Sequence, residues 1–271
     1  MTISRLLSAS LATLLLGACT VSQDQETRIG HDQAAQVTAQ LPMLDDAMIT
    51  GYVDSLGKSI AAKTSRADLQ WQFAVVNTDV VNAFALPGGY IYVNRGLIAR
   101  ARSESELAAV LSHEIEHVVR RHSVQLMEKA QGANLGIALA CRLTSICTHQ
   151  SAQIAIQLGG AAAFARFGRK DEIEADSGGF RNEMRAGLDP RGMLSFFEQL
   201  MKSERQTPAL LAWFADHPGT NDRVVDVKRW LAGESPGVLD GLRADEPSFQ
   251  AMKQRLAELP PAPPPPADTA R

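Results

Sequence analysis

Apolar and polar positions along the chain fall into blocks of helical or strand period. Between Pro42 and about Lys63, Met48, Val53, Leu56 and Ile60 form an imperfect one-sided stripe, which predicts a helix. Trp71, Phe73 and Val75 alternate with Gln72 and Ala74, which predicts a half-buried strand, and Tyr90 to Asn94 predicts a second one after the break at Pro87-Gly88-Gly89. Ser103 is placed as an N-cap, with Glu106 three positions on to complete a capping box, and Leu107, Leu111, Ile115 and Val118 carry an apolar stripe along the helix that follows. A helix from Asp171 to about Ala186 should stop at Gly187. Asp189-Pro190 then opens another, whose Met193, Phe196, Phe197 and Leu200 read as a core-facing stripe. The stretch from Gly132 to Phe167 is rich in small and apolar residues. Arg142, His149, Gln150, Gln153 and Gln157 interrupt it before any window reaches the roughly 20 apolar residues of a membrane span, so it reads as core helices.

The two ends have a different character. Residues 1–18 carry Arg5, an apolar run over Leu11 to Leu16 and then small residues, the layout of a secretory signal. The end of that run, Leu16-Gly17-Ala18-Cys19, resembles a bacterial lipobox, which implies that Cys19 becomes a lipidated N-terminus. More than one acyl chain gives stable membrane attachment. Thr20 stands where Asp is absent, and by resemblance to lipoprotein sorting in Gram-negative bacteria this favours the outer membrane, facing the periplasm, over the inner one. Residues 19–41 are polar and Gln-rich, which suits a tether, and residues 260–271 form a proline-rich, extended tail. Between them, residues 42–259 make one domain.

Composition sharpens this only a little. The chain has 271 residues, 45% hydrophobic and 21% charged, which supports a real core. A net charge of −3 with dispersed Lys and Arg excludes a nucleic-acid binder. Cys141 and Cys147 are neighbours in an expected oxidising compartment, so they form either a local disulfide or two unpaired buried thiols; a thiol titration with and without reductant separates the two.

The chemistry begins at His113-Glu114-Ile115-Glu116-His117. Residues four apart on a helix lie on one face, so both imidazoles can reach one metal ion, and zinc suits two nitrogens and a carboxylate with a fourth position kept for water. Glu114 is close to that position on another heading, as a proton acceptor for the water must be. A third ligand has to come from elsewhere, and Glu172-Ile173-Glu174-Ala175-Asp176 offers Glu172 and Asp176 on one helical face. One can ligate while the other accepts the N–H of a ligand histidine. On its own such a carboxylate run is an ordinary solvated face. His31 and His149 have no partners in the pattern and read as surface residues. His122, five places from His117, reads as facing away from the metal, a structural residue.

These motifs resemble the HtpX and CAAX-prenyl-protease family of zinc metallopeptidases, in its periplasmic BepA-like and LoiP-like branch. The run Asn82-Ala83-Phe84-Ala85-Leu86-Pro87-Gly88-Gly89-Tyr90-Ile91-Tyr92-Val93 is similar to the family segment that precedes the active helix and forms the sheet edge beside the substrate, with Gly88 and Gly89 allowing close backbone approach. The resemblance extends over about residues 45 to 232. It implies an α+β, mainly α, zincin-like metallopeptidase domain with a small β-sheet beside the active helix. It also implies one Zn²⁺ per chain held by His113, His117 and Glu172, with Asp176 behind them and Glu114 as general base. His217-Pro218 and Arg223 match a later family feature that puts His217 near the metal, either steadying an oxyanion or filling the open site in a latent state; the plain alternative is a loop histidine before a helix-opening proline. The chain shows no transmembrane helices of the HtpX kind, so prenylated substrates are not expected. The function implied is endoproteolysis of misfolded or unassembled cell-envelope proteins. The alternative is a membrane-tethered holdase for outer-membrane proteins, working beside their assembly machinery, with a latent metal site.

Overall fold

The computed structural model describes residues 20–130, 167–203, 213 and 217–263. The signal segment, Cys19, Cys141, Cys147 and His149 lie outside the described residues.

The segment expected to be a tether is a helix, α1, Gln23–Gln40. Ser22 caps it: its hydroxyl accepts the Gln25 N–H at 3.2 Å, while the Gln25 side chain accepts the Ser22 N–H at 2.8 Å. The buried side of α1 is Glu26, Gly30, Ala34 and Val37, with only two apolar side chains, which is why the segment looks polar throughout. Ala34 and Val37 pack on Val76, Leu86 and Tyr92 of the sheet. A Cβ at Gly30 would collide with the Pro87 carbonyl, so glycine sets how closely α1 lies on the sheet.

Helix α2, Ala47–Ala61, starts at Asp46, whose carboxylate accepts the Met48 and Ile49 N–H groups at 3.2 Å each. Its buried stripe is Ile49, Val53, Leu56 and Ile60; Met48, one position off that stripe, is 55% exposed. The sheet has the order β1–β3–β2, with β1 (Gln72–Val76) parallel to β3 (Tyr90–Asn94) and β2 (Ala83–Leu86) antiparallel to it. One face packs on α2, where Gly57 sits against the Phe73 ring, and the other is covered by α1. Strand β1 is half-buried as the alternation predicts, with Gln72 exposed, Ala74 partly covered and Phe73 and Val75 buried against α2. The outer edge of β1 meets Met43 and Leu44.

After the short helix α3 (Arg95–Arg100), helix α4 (Glu104–Val119) runs through the centre, and every residue from Glu104 to Val118 is buried. It is enclosed by β2, by α2, and by α5 (Arg169–Arg185) and α6 (Arg191–Ser203). Ser103 caps α4 through Glu106 N–H at 3.3 Å, but the box is not closed. The Glu106 carboxylate instead accepts from the Arg102 N–H and guanidinium and from the Ser195 hydroxyl, a tertiary pull that sequence spacing does not reveal. Helix α5 crosses α4 at Gly178-Gly179. A Cβ on Gly178 would strike the Glu116 side chain, and one on Gly179 would lie 3.1 Å from the Ser112 carbonyl carbon. The buried Met193, Phe196, Phe197 and Leu200 of α6 complete the core with Val224 and Val227 of α7 (Thr220–Gly233). The short α8 (Pro236–Leu239) precedes α9 (Pro247–Glu258), which packs Phe249, Met252 and Leu256 into the same core, beside α2. The proline tail is docked at its first residue, where Arg95 donates to the Pro260, Leu256 and Leu259 carbonyls. Among the described residues no helix is long and apolar enough to cross a membrane.

Candidate metal centre

Helix periodicity brings His113 and His117 of α4 together, with their Nε2 atoms 2.9 Å apart. The close crossing at Gly178-Gly179 then carries Glu172 of α5 to both: Oε2 lies 3.5 Å from His113 Nε2, and Oε1 lies 3.6 Å from His117 Nε2. His217, at the start of the segment leading into α7, supplies a fourth atom. Its Nδ1 is 3.2 Å from His113 Nε2 and 3.3 Å from the Glu172 carboxylate. A tetrahedral ion with bonds of about 2.0–2.1 Å separates its ligand atoms by about 3.3–3.4 Å. The four side chains are all buried and their ligand atoms lie within 4.8 Å of one another, close enough to converge on one such ion.

For His113, His117 and Glu172 the electrostatics match that use, because a metal takes neutral imidazoles and ionised carboxylates. Burial pushes His113 and His117 below the ordinary histidine range, His117 well below it, and neighbouring cationic groups add to the effect. Burial alone would raise Glu172, but His217, Arg223 and His113 outweigh it and hold the carboxyl low. For His217 burial pulls down, yet Glu172 and Glu114 prevail and its pKa is raised. The His217 Nε2 lies 3.4 Å from Glu114 Oε1, so Glu114 sits beside the cluster, buried, and one imidazole removed from Glu172.

Behind the cluster, Asp176 and Arg223 act together. Asp176 Oδ1 is 2.8 Å from His113 Nδ1. Arg223 grips both Asp176 oxygens, at 2.6 and 2.7 Å, and reaches Glu172 Oε2 at 2.9 Å. The guanidinium is itself buried and rests over the Phe197 ring, 4.5 Å from its centroid. Burial would raise Asp176, but Arg223 and His113 bring it down to about 2.

Three site features escape the linear pattern. Trp213 stacks on His217, centroids 4.4 Å apart, and its carbonyl accepts the His217 N–H at 2.8 Å; the four-residue spacing is its one signal. Phe167 stacks on His117 at 4.0 Å. His122, expected to face away, instead places its Nδ1 2.9 Å from His117 Nδ1. Helix α4 ends at Val119 with Arg120 as its C-cap, Arg121 takes a left-handed φ of 58°, and the next helical segment starts at 122, so continuous-helix geometry does not apply across the break. His31, by contrast, is exposed as read.

Of the expected substrate-edge residues, Ala83 and Phe84 lie in β2, beside α4, and the Asn82 carbonyl accepts the Asn94 N–H at 3.0 Å. Phe84 stacks on Tyr92 in the cluster under α1. The close approach permitted at Gly88 and Gly89, φ 79° and 103°, is to α1 and to Trp71 inside the protein.

A description of peptidase family M48 matches residues 48–231 of the chain. The chain belongs to this family. It is 31% identical over 216 residues to the beta-barrel assembly-enhancing protease of Yersinia pestis, which covers 77% of this chain and 44% of that one. It is also 31% identical over 217 residues to the mitochondrial metalloendopeptidase OMA1 of Schizosaccharomyces pombe (78% and 62%). With the metalloprotease LoiP of Escherichia coli K12 it shares 30% over 154 residues (57% and 60%). The chain therefore spans about half the length of these relatives. Members of family M48 are metal-dependent, and the His/Glu cluster is where this chain can hold the metal.

Proposed function

We propose that the protein is a zinc-dependent endopeptidase of the bacterial cell envelope, with one zinc ion held by His113, His117 and Glu172. The observation that carries this reading is the convergence of buried His and Glu atoms at an H-E-x-x-H helix with Glu114 alongside. Zinc, when bound, supplies Lewis acidity to a carbonyl and to water. Glu114 takes the proton of the attacking water and returns it to the leaving amine. Asp176 fixes the His113 ring, and Arg223 keeps both carboxylates ionised and in place. The outer edge of β2 offers backbone groups to an extended substrate, which would add as another strand. His217 stands beside His113 and Glu172 and would be able to join them in holding the ion, in which case its ring would have to swing aside for substrate to enter.

The lipobox-like Leu16 to Cys19 run supports lipid anchoring at Cys19, and Thr20 supports the outer membrane. The beta-barrel assembly-enhancing and LoiP relatives support misassembled envelope proteins as substrates, near the outer-membrane assembly machinery. The test pairs zinc content with cleavage of an unfolded protein in wild type and Glu114→Gln. One zinc per chain in both, with cleavage in wild type alone, is the expected result; cleavage at the normal rate by the variant would sink the assignment. A second reading, a holdase with a latent metal site, draws on the place of His217 beside His113 and Glu172. It is recognised by Glu114→Gln still suppressing client aggregation while wild type, though loaded with zinc, cleaves nothing.

A further inference from the structure

A ligand imidazole that faces a metal through Nε2 carries its proton on Nδ1, and a buried N–H needs an acceptor. For His113 that acceptor is Asp176, at 2.8 Å. For His117 the atom in the equivalent place is Nδ1 of His122, at 2.9 Å. Two ring nitrogens that close are compatible only if one carries the proton and the other does not. Since His117 Nδ1 carries it, His122 Nδ1 is bare, and the proton of a neutral His122 sits on Nε2. That nitrogen is buried without a hydrogen-bond partner, and the Glu174 carboxylate stands 3.5 Å from it.

We propose that His122 is the positioning residue for His117, accepting its Nδ1–H and thereby fixing the tautomer and ring plane that present Nε2 to the metal. The inference rests on the zinc reading above. The break after α4 places it: Arg121, in its left-handed conformation, is held by Glu26 Oε2 at 2.7 Å and by the Val21 carbonyl, and this turns His122 back over His117. The two ligand histidines are thus backed unequally, His113 by an ionised carboxylate and His117 by a neutral ring.

The same neighbourhood admits a rival. His122, Asp171 and Glu174 offer ligand atoms within 4.8 Å of one another and could hold a second cation. A cation there needs a bare His122 Nε2, which moves the proton to Nδ1 and sets two N–H groups against each other at 2.9 Å. The contact with His117 therefore favours the hydrogen-bonded relay over a second metal.

The experiment measures zinc affinity and stoichiometry for the full chain by competition with a chromogenic chelator, in wild type, His122→Leu and His122→Asn. Loss of a partner behind a ligand weakens metal binding by about 10- to 100-fold. His122→Leu should show that loss, while His122→Asn, whose Oδ1 falls near the Nδ1 position, should recover most of it. Unchanged affinity in His122→Leu overturns the proposal, as does equal weakening in both variants, which would mean that the ring acts by packing alone. Two zinc ions in wild type and one in His122→Leu would establish the rival. A wild type without zinc overturns the metal reading together with this one, whereas one tight zinc in all three proteins overturns this one only. Independently of how the variants fold, long-range ¹H–¹⁵N spectra of the zinc-loaded wild type should show His122 neutral with its proton on Nε2; a proton on Nδ1 refutes the relay.

Discussion

Glu183 on α5 is fully buried, and neither carboxyl oxygen has a hydrogen-bond partner among the described residues. Burial raises its pKa well above the ordinary value of 4.5, and the charges of Asp189 and Asp176 add to this. The perturbation is Glu183→Met, which keeps the length of the side chain and removes the polar atoms. A buried polar group without a partner costs about 1–3 kcal/mol, so the variant should be more stable by that amount even where the wild-type carboxyl is protonated in both states. The second part depends on pH. The unfolded chain releases the proton above about pH 4.5 while the folded chain keeps it, so rising pH favours the unfolded wild type by about 1.4 kcal/mol per pH unit until the folded group also ionises. Methionine has no such term. Urea unfolding of both proteins at pH 4 and pH 7 gives the answer, because the difference between them cancels the titrations they share. The stability gap should widen with pH, and at about 2–4 °C per kcal/mol it should be plain in thermal melts. A gap that narrows toward pH 7, or a variant less stable than wild type at both values, refutes the reasoning.

Further perturbations test the supports of the site. Arg223→Met leaves Asp176 and Glu172 buried without their cation and should cost about 3–5 kcal/mol in urea unfolding of the zinc-free protein. Gly179→Ala sets a methyl 3.1 Å from the backbone of α4 beside His113, so zinc affinity by chelator competition should fall about ten-fold, with a smaller change in secondary structure by circular dichroism. Glu26→Ala strands Arg66 and Arg121, which it pairs at 2.7 Å each, and should cost about 3–5 kcal/mol together with faster proteolysis of the N-terminal segment. If Glu26→Ala melts like wild type, the clamp contributes nothing.

What could be read from the sequence is what local geometry decides. His113 and His117 share a helix face because they are four apart, and Glu172 and Asp176 do so for the same reason; the structure brings the two pairs together. Strand β3 after the Pro87-Gly88-Gly89 break and the stop of α5 at Gly187 are likewise set locally, by turn residues and by a left-handed glycine. The failures occur where distant contacts decide. The buried face of α1 is Glu26, Gly30, Ala34 and Val37, with the sheet close against it, so its composition resembles a linker. Glu106 is drawn from its own N-cap by Arg102 and Ser195. His122 cannot be placed without knowing that Arg121 turns the chain, and that turn is fixed by Glu26, ninety-five residues away.

The position of α1 has a practical consequence for defining the protein's boundaries. The family match begins at residue 48, after α1 has ended, and a fragment cut there would keep every residue of the metal cluster. It would also strip the cover from Val76, Leu86 and Tyr92 and remove the partner of Arg66 and Arg121. The span of the family match is thus smaller than the unit of folding, and a recombinant fragment drawn to its limits should be sticky and poorly folded even though its metal ligands are all present.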